Sequence, residues 1–136
     1  MRYSVALLAV CLLAGCGGGG DKKSSTTSDV KSGGEVQVQD AKAKAAAATL
    51  VTYVETCFTD QGDYSGCAGD DALGSSNLPL GDGPGQVDVT DATASGYTIV
   101  ATSESGNTFT LKKTDAGIDR TCVAKVDSAG CAGGTW

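Results

Sequence analysis

The longest periodic stretch of the chain runs from Glu35 to Thr59. Ala43, Ala47, Leu50, Val54 and Cys57 recur at i, i+4, i+7, i+11 and i+14, which places them on one helical face. Val51 and Phe58 widen that face. The run Ala41-Lys42-Ala43-Lys44-Ala45-Ala46-Ala47-Ala48 has high helix propensity. Asp40 stands near the start, where a carboxylate suits the positive end of the helix dipole. Lys42, Thr49, Thr52, Glu55 and Thr59 fall off the apolar face and are expected to meet water. The face is built of small residues first and large ones later. Close packing is therefore expected at the Leu50 to Phe58 end, with the first turns less covered.

Asp60 to Gln86 breaks the pattern with turn formers at almost every step, among them Gly62-Asp63, Ser65-Gly66, Gly74-Ser75-Ser76-Asn77 and Gly81-Asp82-Gly83-Pro84-Gly85. A loop of this length in a small domain needs fastening, and Leu73, Leu78 and Leu80 can pin it to a core. From Gln86 the period becomes two. Val87 and Val89 alternate with Asp88. Tyr97, Ile99 and Ala101 alternate with Thr98, Val100 and Thr102. Phe109 and Leu111 alternate with threonines and Lys112, and Ile118, Arg120 and Cys122 form a last short run. Ala94-Ser95-Gly96, Glu104-Ser105-Gly106-Asn107 and Asp115-Ala116-Gly117 separate the runs. Short glycine-containing connections make hairpins, so an antiparallel meander of three to four strands is expected. The fold class is α+β, with one long N-terminal helix on one face of the sheet and a threonine-rich face in water. The tail from Asp127 to Trp136 is not expected to continue the sheet. Cys131 can tie it back to Cys122, and Trp136 is expected to dock.

The first residues read as an address. Arg2 precedes the apolar run Val5 to Leu13, too short for a spanning helix, which needs about 20 apolar residues, but suited to a signal peptide. It ends in Leu13-Ala14-Gly15-Cys16, which resembles the bacterial lipobox. That resemblance implies cleavage before Cys16 and lipidation of its thiol. Gly17 to Gly34 is glycine, serine, threonine and charge, a tether with an end-to-end distance of roughly 24 Å. Three segments result: 1–15 as signal peptide, 16–35 as lipidated cysteine and tether, and 36–136 as the folded domain.

Composition narrows the chemistry. The 136 residues include no His, so the usual general base and commonest metal ligand are missing. A net charge of -6 with 5% aromatic residues offers neither the basic footprint nor the stacking platform for nucleic acid. Paired carboxylates could still act as in glycoside hydrolysis. A domain of about 100 small-residue positions has little room for a substrate cleft, and a non-enzymatic role is expected. Of the six cysteines, Cys11 lies in the signal and Cys16 in the lipobox. Cys57, Cys67, Cys122 and Cys131 remain. Disulfides are expected of an even number in an exported domain. Cys57–Cys67 with Cys122–Cys131 is favoured among three pairings, because each closes a short loop worth roughly 2.5–3 kcal/mol. A redox pair or a four-cysteine zinc site would want Cys-x-x-Cys spacings that are missing.

The order of these segments resembles a known family. The alanine- and lysine-rich helix runs into Val51-Thr52-Tyr53-Val54-Glu55-Thr56-Cys57-Phe58. Asp63-Tyr64-Ser65-Gly66-Cys67 follows, then Gly96-Tyr97-Thr98-Ile99-Val100-Ala101 and Ser105-Gly106-Asn107-Thr108-Phe109-Thr110. Arg120-Thr121-Cys122 and the glycine-rich Cys131 tail close it. From about Val36 to Trp136 this is similar to the soluble head of type IV pilin-like and pseudopilin-like proteins of Gram-positive bacteria, actinobacterial types especially. The resemblance implies pilus or pseudopilus subunits, or other envelope components, as partners. A pilin's cleavage motif and apolar stalk are not seen before the helix, so stalk-driven polymerisation is not expected to carry over. The chain reads as a pilin-like head on a lipid anchor, at the outer leaflet of the bacterial cell membrane. Some pseudopilins bind calcium in a loop beside the sheet. Asp60, Asp63, Asp70, Asp71 and Asp82 crowd the corresponding loop here, and hard oxygen ligands suit that ion, although no EF-hand spacing is present.

Overall fold

The computed structural model describes residues 33–127 and 130–136. The signal segment, the lipobox with Cys16, and nearly all of the tether lie outside the described residues. Helix α1 spans Gly33–Gln61, two residues longer at each end than the sequence pattern suggests. Gly33, Gly34 and Glu35, which composition places in the tether, form its first turn. A short helix α2, Asp70–Leu73, and a 3-10 turn, Gly74–Ser76, follow. Among the described residues four strands follow: β1 Val87–Ala92, β2 Tyr97–Thr102, β3 Thr108–Thr114 and β4 Gly117–Val123. They form one antiparallel meander in the order β1-β2-β3-β4. Helix α1 packs across β1, β2 and β3 and does not reach β4.

Register decides what the helix covers. Val87 stands opposite Ala101 and Val89 opposite Ile99; Ile99 meets Leu111, and Ala101 meets Phe109. These residues are all buried, as are Ala43, Ala47, Leu50, Val54 and Cys57 on the facing helix. Burying that apolar surface is the main stabilising term. On the opposite face Thr98, Val100, Thr102, Thr108 and Thr110 are half-exposed. An irregularity between Val89 and Asp91 shifts β1 by one residue against β2, so the period of two holds only for its first half.

The helix start departs from expectation. Val36 is 3% exposed and Asp40 is fully buried, so the first turns are covered and not open. They extend the apolar stripe backwards at the same spacing. The tight turn Ser103-Glu104-Ser105-Gly106 covers Asp40; it is closed by Gly106 N–H donating to the Ser103 carbonyl at 2.9 Å, with Gly106 at φ 92° where a side chain would be strained. Ser105 Oγ donates to Asp40 Oδ1 at 2.7 Å and Asn107 Nδ2 donates to Asp40 Oδ2 at 2.9 Å. A carboxylate stripped of water needs such donors. Asn107 is itself buried, and its Oδ1 accepts from the backbone N–H of Lys125 and Val126 at 2.7 and 3.0 Å. One side chain thus joins the helix, the β2–β3 turn and the segment after β4.

Candidate interaction surfaces

The segment after Gln61 is more ordered than a string of turn formers suggests. A disulfide joins Cys57 in the last turns of α1 to Cys67. Tyr64 lies between them in sequence and stacks on Phe58 at 4.4 Å between ring centres, with its edge toward Tyr97 at 5.0 Å. Leu73 is buried, while Leu78 and Leu80 are half-buried against the core. Gln86 holds the far end: its Oε1 accepts from Gly83 N–H at 2.8 Å and its Nε2 donates to the Leu80 carbonyl at 3.3 Å. The backbone then runs beside β1, with Val87 N–H donating to the Pro79 carbonyl at 3.0 Å.

Glu55, expected to meet water, sits at the centre of a polar cluster. Tyr97 and Tyr64 donate their hydroxyls to its two oxygens at 2.8 and 3.0 Å, and Lys113 Nζ lies 3.3 Å from it. Burial alone would push the carboxyl up, but the tyrosine and lysine donors outweigh it and hold Glu55 below its ordinary value of 4.5. Burial and the neighbouring carboxylate push both tyrosine hydroxyls up. Lys113 is pushed up by its bonds to Tyr64 and Glu55. The cluster binds together α1, the disulfide loop, β2 and β3.

The five aspartates considered for calcium are spread out. Asp60 is exposed in the last turn of α1. Asp63 Oδ1 accepts from Ser65 N–H at 2.8 Å. Asp70 and Asp71 are exposed in α2, and the Asp82 carbonyl accepts from Thr102 Oγ1 at 3.2 Å. Asp60 and Asp71 line one hollow of about 510 Å³ with Tyr53, Thr52 and Thr56. Among the described residues no three metal-ligating side chains come together.

The tail folds back against β4. Cys122 and Cys131 form the second disulfide. Beyond it the chain turns back along the edge of β4: Thr135 bridges Thr121 in antiparallel fashion, and Cys122 N–H donates to the Gly134 carbonyl at 2.8 Å. The sheet keeps its four strands, as expected, and the tail touches β4 through a single bridge. Trp136 docks. Its indole N–H donates to the Thr110 carbonyl at 3.2 Å, and its ring meets the edge of Phe109 at 5.8 Å. The Arg120 guanidinium lies 5.5 Å and Lys44 Nζ 5.9 Å from the ring centre. Lys44 also donates to the Gly130 carbonyl. The tail covers part of the ground that α1 does not reach. Ile118 and Arg120 stand on the core-facing side of β4 and stay exposed, Ile118 at 44%. Composition gave little sign of this cover; the one usable signal was a bulky Trp after glycines beside a cysteine.

Among the described residues the large exposed apolar side chains are Val38 near the helix start, Ile118 on the inner side of β4 and Val123 on its outer side. A hollow of about 220 Å³ opens between α1 and the two loops beside it, lined by Gln39, Lys42, Ala46, Pro79 and Glu104. Among the described residues no helix is long and apolar enough to cross a membrane. Searches with protein-family models, curated proteins and solved structures give no match to this chain.

Proposed function

We propose that the chain is a non-enzymatic, lipid-anchored protein of the bacterial cell envelope, whose pilin-like domain associates with pilus or pseudopilus subunits or other surface components. The observation that carries the reading is Leu13-Ala14-Gly15-Cys16 directly after an apolar run of signal-peptide length. A glycine- and serine-rich tether then leads to a disulfide-stapled α+β domain, which suits an oxidising compartment. Asp40 and Glu55 each spend their acceptor capacity on neighbouring elements of the same fold. The surfaces open to partners are the Val38 side of the helix start, the 60–85 loop and the Ile118–Val123 stretch of β4.

Two experiments test it. The native N-terminal peptide begins at Cys16 and carries a lipid mass; an unmodified Cys16 by mass spectrometry removes the anchor. Crosslinking on intact cells, followed by pull-down through a C-terminal tag, recovers pilin-type subunits; a transporter permease in their place favours ligand capture. A second reading, an ion- or small-ligand-binding lipoprotein, draws on Asp60 and Asp71 lining one hollow. A melt that rises with calcium and falls with chelator supports it, and an unmoved melt dismisses it.

A further inference from the structure

The two disulfides differ at their second cysteine. Cys67 is fully buried, and Cys57 and Cys122 are each 8% exposed; all three belong to the core that includes Tyr64, Leu73 and Val54. Cys131 is only half-buried, and exposed Ala132, Gly133 and Gly134 follow it. Thiol–disulfide exchange requires the attacking thiolate to reach a sulfur, so access decides which bridge reacts. The accessible bridge is also the one that holds the tail to β4.

We propose that Cys122–Cys131 is a reductively cleavable clasp: a modification site at which a dithiol reductant opens the bridge and frees the C-terminal segment, while Cys57–Cys67 stays closed. The first thiolate of the dithiol attacks Cys131 Sγ. A mixed disulfide forms, the Cys122–Cys131 bond breaks, and Cys122 leaves with the electron pair and takes a proton. The second thiol of the reductant then attacks its own partner's sulfur in the mixed disulfide and releases Cys131 as a thiol. Two electrons and two protons pass to the protein, and the dithiol becomes a disulfide.

Opening the clasp removes the covalent closure of the tail loop and leaves weaker ties. These are the Gly134–Cys122 backbone bond, the Lys44–Gly130 bond and the Trp136 contacts. Release bares the edge of Phe109 and the outward N–H of Cys122, so the same step uncovers an apolar ring and a strand edge able to accept another chain.

Trp136 is the single tryptophan and reports on its own release. The full-length protein is treated with dithiothreitol without denaturant, samples are alkylated over time, and labelled cysteines are located by peptide mass spectrometry while Trp136 emission is followed. Cys122 and Cys131 are expected to label at least about tenfold faster than Cys57 and Cys67, with a red shift of Trp136 emission in that same phase. Equal or faster labelling of Cys57 and Cys67 would overturn the selectivity. Unchanged emission with Cys122 and Cys131 fully labelled would overturn the release. The double variant C122S/C131S is expected to show the emission of the reduced protein, and native-like emission in it overturns the release as well. The wild-type kinetics decide the matter if that variant does not fold.

Discussion

Helix α1 carries two carboxylates that fasten it to the sheet, and it uses them in opposite ways. Asp40 is fully buried and is held by an amide and a hydroxyl. Glu55 keeps about a third of its side chain in water and is held by two phenols and an ammonium group. They lie ~22 Å apart along the helix, far enough for their effects to add. Where water is gone, an unmet hydrogen bond is expensive and the partners are not replaceable. Where water remains, it can take over a lost partner's role. Position in the fold, more than the number of bonds, sets what each carboxylate is worth.

The largest expected effect comes from the buried end. Asn107→Ala removes the amide donor to Asp40 and the acceptor for Lys125 and Val126 N–H. It should cost about 3 kcal/mol in urea unfolding. A loss below about 1 kcal/mol would mean that water reaches Asp40 and that the contrast is false. Glu55→Gln keeps the shape but weakens three charge-assisted contacts, and should cost about 1–2 kcal/mol. Tyr97→Phe, which removes one of those donors, should cost about 1 kcal/mol by the same measurement. Lys113→Met should cost only about 0.5 kcal/mol, since its pair with Glu55 is partly solvated.

Acid sharpens the contrast further. The Glu55 carboxyl is held low in the folded protein, so its contribution is complete above the ordinary value of 4.5. It is lost as pH falls from there through the lowered native value. The stability difference between the native protein and Glu55→Gln should therefore be constant from pH 7 to about 5 and shrink below that. A gap that widens toward low pH would reverse the assignment.

Where the sequence was legible, one physical rule was acting alone. Ala43, Ala47, Leu50, Val54 and Cys57 recur at helical spacing and are buried for that reason. Val87, Val89, Ile99, Ala101, Phe109 and Leu111 alternate and face the helix. Two disulfides on short loops were likewise readable from spacing. Asp40 was not readable as buried, because a carboxylate in an apolar stripe looks like a break in it. Ser105 and Asn107, more than sixty residues on, supply donors to it. Glu55 was hidden in the same way, since Tyr64 and Tyr97 reach it from other elements. The tail's return to β4 depends on α1 stopping short of that strand, which no local pattern encodes. At the helix start Val36 and Asp40 are covered, and Val38 alone of its large apolar residues stands out.

The chain enters the fold at the beginning of α1, and Val36 is the first side chain it buries. Whatever holds residue 32 therefore pulls on the domain through that end. Tension along this path meets Val36, then Asp40 and its two donors, before it reaches the apolar body of the helix. A helix drawn from its end peels turn by turn, and the first strong resistance it offers is the Asp40–Asn107 contact. The residue that looks in equilibrium terms like a costly oddity thereby becomes the mechanical latch of the domain. A load of that kind meets the Asp40–Asn107 contact before it meets either disulfide.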